Sequence, residues 1–428
     1  MSTSYEVAIR RPEDGRLLVL ADRSLPGFST DTPPPWQVVS IVVDEIRARH
    51  GLDVATLRAA SVDEPVARGA GARRFYEAEF LGGSPPAGAA WVDGADLGPE
   101  LAVVTPGATE SRHPWYHMGW LAEMSAWIDG RLADAGLRRR GPIRQVRSWG
   151  RAALLTFETD RGRLWAKAVP DMFAHEIAVT ELLADIDPGI VPPVVAADRS
   201  LGRIVTEHVE GASLVTIGPE PAVWMATMSR LAEVQRVLAA DLGALSVAGV
   251  AAAPLERLAE SLSGLLADDE LLRTDRPGGL TGGEAQSLRD RLPEWVEACR
   301  ALAASGIRDS LEHGDLTADE VILGAMGPVF LDWSDGSITH PFLSAASMFE
   351  ERGYADRGPD DRATAYLGPW VAAGHVTPAA GREALTLART VLPFHLAALY
   401  AERILPGLQQ PWEAERVVPD ALRTILPG

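Results

Sequence analysis

Read for its alternation of apolar and polar positions, the first hundred residues predict a small α/β unit. "YEVAIRR" and "RLLVLAD" pattern as paired strands, and "DTPPPW" is a Pro-rich turn. "WQVVSIVVDEIRARHG" follows as a helix stopped by Gly51, and "RRFYEAEFL" is a further strand. The loop-rich "GGSPPAGAAWVDGADLGPE" closes this unit. Residues 112–139 predict an amphipathic helix, because Trp115, Met118, Leu121, Met124, Ile128 and Leu132 recur every three or four positions. Beyond Gly141-Pro142, "IRQVRSW", "AALLTFETD" and "RLWAKAV" read as three strands. The helix "FAHEIAVTELLADI" and two strands, in "VPPVVAAD" and "GRIVTEHV", complete a five-stranded antiparallel lobe with one inserted helix. From "EPAVWMATMSRLAEVQRVLAADL" onward the periodicity is helical. Its main interruption is "LEHGDLTADEVILGAMGPVFLDWSDG", with short strands in "VIL" and "VFLDW".

The expected fold class is therefore α+β. A β-rich lobe joins a helical lobe near residues 207–215, with a cleft between them, behind a small α/β unit. The expected domains are 1–110, an accessory α/β unit; 111–215, a linking helix and β-rich lobe; and 216–428, the helical lobe.

Composition narrows the classes. A chain of 428 residues exceeds one ordinary core, and 46% hydrophobic with 23% charged residues is a globular balance. No apolar run reaches the roughly 18 residues that span a bilayer, and "MSTSYEVAIRRPEDG" carries no secretory leader. Cys299 is the single cysteine, expected as a buried helical thiol, so no intramolecular disulfide or thiolate metal cage can form. The expectation is a soluble cytoplasmic protein with no membrane partner. A net charge of −19 argues against nucleic acid as a partner. It would suit a cationic small substrate, but solubility alone is the preferred reading.

Lys167, in "GRLWAKAVP", is the one lysine among 40 Lys and Arg residues. A surplus of Arg, Ala, Gly and Pro accounts for the scarcity of lysine but not for where this one stands. A compact ammonium reaches a phosphate as a point charge where a guanidinium fork is too broad. Taken alone, Lys167 reads equally well as a surface lysine whose stem covers apolar neighbours. The second cluster decides between them. "HGD" at 313–315 places Asp315 in a loop, and Asp332 follows in "FLDWSDG" across a short strand pair. One carboxylate would orient a hydroxyl and the other would hold Mg²⁺, which prefers oxygen ligands. Each tripeptide alone is ordinary turn chemistry. Their order behind Lys167 and Glu176 is not.

From about Trp115 to about Phe342 the chain resembles the aminoglycoside phosphotransferase and choline kinase-like family, relatives of the protein kinases. The likeness lies in "VRSWGRAALLTFETDRGRLWAKAVPDMFAHEIAVTELL", the hinge-like "IVTEHVEG", "LAEVQ" where many members have Leu-His, "HGDL" and "LDWSDGSITHPF". It implies a bilobal protein kinase-like fold that moves the γ-phosphate of ATP, with Mg²⁺, to a hydroxyl of a small molecule. The acceptor would be an aminoglycoside, an amino sugar or another natural product. By the same resemblance Lys167 holds the α/β-phosphates and pairs with Glu176. Asp315 is the catalytic base and Asp332 a magnesium ligand. Backbone at Glu207, His208 and Val209 meets adenine. The hairpin of Ser148, Trp149, Gly150 and Arg151 covers the phosphates, although it lacks a glycine-rich run. The resemblance also gives His313 a bracing role; from the residues themselves, Asp335 is expected as a turn carboxylate in preference to one that orients substrate, and His340, before Pro341, to start the next helix. The substrate is expected among helices after residue 222, near Glu350 and Glu351.

One departure divides the readings. The family's loop usually reads His-Gly-Asp-Leu-His-x-x-Asn, whereas here it is "HGDLTADE", with Thr317 for the second His and Glu320 for the Asn. Glu320 still offers a hard oxygen to the metal, with Asp319 as the substitute ligand that register disfavours, but it adds charge beside a polyphosphate. An active kinase, a pseudokinase serving as a binding or scaffolding module, and a kinase of a peptide or carrier-bound intermediate all fit. The N-terminal unit faintly resembles a Nudix domain. Ala48 and Arg49 stand where its paired glutamates would, so no hydrolase activity is expected there, but a docking, dimerising or substrate-gating role.

Overall fold

The N-terminal residues fold around a strand that the local pattern identifies well. In the computed structural model, which describes residues 2–63, 72–94, 113–218, 220–350 and 359–426, β1 (Thr3–Arg10) is followed by β2 (Leu17–Val19) and β3 (Gly27–Thr30). Then come α1 (Ser40–His50), β4 (Leu52–Asp63), β5 (Arg73–Gly83) and β6 (Ala90–Val92). The sheet order is β4-β5-β1-β2-β6, with β3 also on β1; β1 and β5 run parallel, and β4 lies antiparallel to β5. The predicted pairing of β1 with β2 is present at Arg10↔Leu17. The pattern misses β4, for a physical reason. Every residue from Val54 to Ala60 is buried, so neither a period of two nor a helical stripe marks the segment.

Two helices are shorter than predicted. The first begins at Ser40, not Trp36, because Gln37, Val38 and Val39 bond to another strand instead. The second, α2 (Trp120–Asp134), does not extend over 112–139. Pro114–Tyr116 form a single 3₁₀ turn, and Gly119 takes φ +85°, which no helix accommodates. Met118 precedes the helix and is exposed, whereas Trp120, Met124, Ile128 and Leu132 are buried. Residue 112 lies outside the described residues.

The five strands expected after Pro142 all form: β7 (Arg139–Trp149), β8 (Ala152–Thr159), β9 (Gly162–Ala168), β10 (Val194–Asp198) and β11 (Arg203–Glu207), with α3 (His175–Ile186) inserted after β9. By compactness the chain divides into two units. One comprises Met1–Pro170 with Arg203–Thr206, the other Asp171–Gly202 with Glu207–Gly428. The first is β-rich and holds β7, β8, β9 and β11 in the order β11-β9-β8-β7.

The second unit is helical with small sheets. It continues with β12 (Ala212–Ser213), α4 (Leu214–Ile217), α5 (Pro221–Leu238), α6 (Leu242–Val247), α7 (Leu255–Ala267), α8 (Gly282–Asp290) and α9 (Leu292–Ala303). After β13 (Ser310–Glu312), β14 (Val321–Gly324), β15 (Gly327–Phe330) and β16 (Ser337–Thr339) come α10 (Phe342–Glu350), α11 (Pro359–Ala372) and α12 (Pro378–Leu399). The fold class is thus α+β, one β-rich and one helical part. The helical run Pro378–Gly407 is long and apolar enough to cross a membrane by length and composition, which the run of apolar letters alone does not reveal. Of its most apolar window, 61% is buried inside the protein, against α7, α9, α10 and α11. Cys299 is buried in α9, as expected, and burial pushes its thiol up to about 12, where it holds its proton.

Candidate active site

In the second unit, β13 and β16 pair antiparallel with Glu312 opposite Ser337, and this ladder sets two loops side by side. One is 313–320, the other 331–336. His313 is buried; its Nε2–H donates to Leu331 O at 2.8 Å, and its ring lies 4.5 Å from that of Trp333. Its own N–H donates to Ser344 Oγ at 2.9 Å. Burial drives the His313 pKa down, so the imidazole is neutral and serves as a fixed donor. Its hydrogen bonds brace the two loops against each other. Gly314 sits at φ +84°, and a Cβ built there would lie 2.5 Å from Asp335 Cβ and Asp335 O. Only glycine meets both demands. The two loops touch through that glycine. Asp315 then emerges exposed, between buried Gly314 and buried Leu316, whose carbonyl accepts from Ser347 Oγ at 2.7 Å.

The β14–β15 hairpin brings the next two carboxylates together along the chain's backbone. Val321 stands opposite Phe330, and Leu331 N–H donates to Glu320 O at 2.9 Å. Glu320 is therefore across from the residue before Asp332. The predicted strand "VFLDW" ends at Phe330, because Asp332 adopts φ 54°, ψ 67° and Trp333–Asp335 form a 3₁₀ turn. A left-handed Asp costs on the order of 1 kcal/mol and persists only where its surroundings hold it. Here Ser334 Oγ donates to Asp332 Oδ1 at 2.6 Å, and His313 holds the preceding carbonyl. Asp332 is exposed and Glu320 half-buried. Asp335 ends the 3₁₀ turn and is buried. Among the described residues no group of three or more His, Cys, Asp or Glu is arranged to hold a metal ion. Glu320 and Asp332 flank the paired strands, Glu320 just before β14 and Asp332 two residues after β15, and carboxylate oxygens are the ligand type that Mg²⁺ prefers.

Three residues that the sequence did not single out, together with Gln235 from the noted "LAEVQ", build this frame. Glu312 is buried; its Oε1 accepts from Gly314 N–H at 2.8 Å, and its Oε2 lies 3.2 Å from His395 Nε2 on α12. Burial opposes its charge, yet the bond to His395, the charges nearby and the Gly314 N–H together hold its pKa below the ordinary value. Gln235, fully buried on α5, donates to Leu311 O at 2.9 Å and accepts from Tyr366 OH at 2.6 Å. It stands in the "LAEVQ" position already noted, so its importance had a visible signal. Arg403 lies in a π-helical turn, Tyr400–Ile404, and donates to Gly336 O at 3.0 Å and to Asp335 O. No local pattern marks it, and none marks His395.

The remaining predicted residues divide between the units. In the second, Glu176 is buried in the first turn of α3, which packs on the Trp333–Asp335 turn. Glu207 is exposed, and its N–H donates to Pro193 O at 2.9 Å. His208 is half-buried, 3.8 Å from Glu210. Val209 packs on Gly324, where a built Cβ would be 3.2 Å from Val209 Cγ1, and β12 just beyond pairs with β14. In the first unit, Lys167 is half-buried on β9 opposite Leu154. Trp149 and Ala152 pair across the two-residue turn Gly150-Arg151. A cavity of about 690 Å³ lined by Asp187, Glu233, Arg236 and Pro369, among others, contains none of the predicted residues. Glu351 and the side chain of Glu350 lie outside the described residues.

His340 does start the next helix: Phe342 N–H donates to its Nδ1 at 3.3 Å, leaving Nε2–H for Ser305 Oγ at 3.1 Å. Burial pushes it from the ordinary 6.5 down to about 3. Between those values the unfolded chain binds a proton there and the folded chain does not. Stability therefore falls as pH falls, by about 1.4 kcal/mol per unit. Urea midpoints measured from pH 6 to 4 are expected to fall less steeply in His340→Gln; parallel curves would contradict this assignment.

No protein-family model matches the chain, and no curated protein matches it. Solved structures similar to it include a macrolide 2'-phosphotransferase type I, at 15% identity over 71% of this chain and 97% of that one, with a TM-score of 0.49. An aminoglycoside 2'-phosphotransferase in complex with GDP is 15% identical over 71% and 99%, at 0.49. A choline/ethanolamine kinase family protein from Mesorhizobium loti is 16% identical over 70% and 99%, at 0.45.

Proposed function

We propose that the protein is an ATP-dependent kinase of a small hydroxylated molecule, of cationic class. The observation that supports this is the pair of braced loops: buried His313, two residues before exposed Asp315, bonds the carbonyl before left-handed Asp332, and Leu331 N–H bonds the carbonyl of Glu320. Asp315 accepts the hydrogen bond of the acceptor hydroxyl, orients its lone pair and takes up its proton. Lys167 supplies the point charge for the α/β-phosphates, and Asp332 with Glu320 would hold Mg²⁺. When bound, the metal neutralises the phosphate oxygens. Main chain at 207–209 receives the base, and the net charge of −19 draws a cationic acceptor.

The second reading, a nucleotide-binding pseudokinase, is favoured by one observation, the glutamate at position 320. Calorimetric titration with ATP, and in parallel GTP, with and without Mg²⁺ separates the two. The kinase reading expects Mg²⁺ to tighten ATP binding about tenfold or more, and Glu320→Gln to raise the Mg²⁺ requirement about tenfold. Lys167→Ala is expected to abolish the metal-dependent binding. Equal affinity without metal, or none at all, favours the pseudokinase.

A further inference from the structure

The N-terminal sheet and the β7–β8 hairpin lie in one unit, and the contacts joining them converge on residues 144–149. Segment 36–39 runs along β7: Val39 N–H donates to Val146 O at 3.0 Å, and Ser148 N–H to Gln37 O at 3.1 Å. Val38 and Arg147 form an antiparallel bridge between these bonds. Since β7 ends the order β11-β9-β8-β7, the segment covers that sheet's open edge. Gln145 reaches β4 as well. Its Oε1 accepts from Thr56 N–H at 2.7 Å and its Nε2 donates to Thr56 O at 2.9 Å, so one side-chain amide pairs as strand backbone would. Ser148 Oγ donates to Leu57 O at 2.7 Å. Gln145, Ser148 and Thr56 are all buried, where an unmade bond is costly.

The tip is held too. Trp149 meets the edge of Trp36 at 6.0 Å, its carbonyl accepts from Trp115 Nε1–H at 3.0 Å, and Arg151 lies over its ring at 5.3 Å. From behind, Tyr76 OH donates to Trp36 O and Arg74 to Pro34 O, both at 2.7 Å. A two-residue hairpin turn is ordinarily among the freer parts of a sheet. This one is fastened on both sides.

We propose that the N-terminal module is a built-in clamp that pre-positions the β7–β8 hairpin for the phosphates of a nucleoside triphosphate, with Gln145 and Ser148 as its positioning residues. This rests on the kinase reading given above. The hairpin has a single glycine at its turn and no glycine-rich run to wrap phosphates. Prior ordering by the clamp removes freedom that nucleotide binding would otherwise have to remove, and affinity rises accordingly.

The test measures MgATP affinity by calorimetry and amide hydrogen exchange over residues 147–152, in full-length protein. Gln145→Leu is expected to weaken MgATP binding about tenfold and to speed that exchange by a similar factor, leaving exchange at 310–345 unchanged. Ser148→Ala, a smaller change that carries the test should Gln145→Leu not fold, is expected to act the same way, about threefold. Trp91→Ala is the control: Trp91 packs on Phe80 from β6, the strand farthest from β4 in the sheet order. Faster exchange with unchanged MgATP affinity overturns the clamp while leaving the kinase reading intact. Equal weakening by Trp91→Ala overturns it as well, since the effect is then general destabilisation. If the unaltered protein binds no MgATP, the kinase reading itself falls and this inference falls with it.

Discussion

Replacing Asp315 with asparagine is expected to lower the rate of γ-phosphate transfer by roughly 10²–10⁴-fold, the usual contribution of a positioned general base. The measurement is transfer of labelled phosphate from ATP to a panel of aminoglycosides, amino sugars and choline. Asparagine keeps the size of the side chain and can still contact a hydroxyl, but it cannot take the proton. Asp315 is exposed, and the loop beneath it is fixed by His313, Ser344 and Ser347. The melting temperature should therefore stay within the small range of surface substitutions, and MgATP affinity within about twofold. A variant retaining more than a tenth of the parent rate would remove Asp315 from the chemistry.

The second large effect is on stability. His395→Leu leaves the Glu312 carboxylate buried without its partner from α12, and breaking such a pair costs about 3–5 kcal/mol. For a unit of this size that corresponds to a fall in Tm on the order of 10 °C. Glu312→Gln keeps an acceptor for Gly314 N–H and should cost less. The double variant should recover part of the loss, a coupling that a double-mutant cycle reads directly. The pH sign follows from the same residue. Glu312 has its pKa held below the ordinary carboxylate value, so its contribution is complete above that value and is lost as pH falls through the folded one. Calorimetric scans that show additive losses would mean that the two side chains do not stabilise each other.

The loops that carry the proposed site residues of the second unit were legible because their spacing is local. Between Asp315 and Asp332 lie a turn, two short strands and another turn, and a hairpin of that length allows few arrangements. The strands β8 and β9 and helix α5 were legible for a similar reason, since each has one buried stripe that the alternation of residue types records. Where both faces are covered, as in β4, no such record exists. Helix starts failed at Trp36 and at residue 112 for another reason. Distant strands competed for the backbone of 37–39, and a left-handed Gly119 interrupted an otherwise continuous apolar period.

What the sequence determined alone is the inventory: one lysine, the order Lys167, Glu176, Asp315, Asp332, and a glutamate where the resemblance leads one to expect asparagine. What tertiary structure decided is how that inventory is held. His395 lies 83 residues from Glu312, and Gln145 lies 89 from Thr56. A buried polar group must find its partner wherever the chain has folded to supply one, and nothing in the neighbouring letters says where that will be.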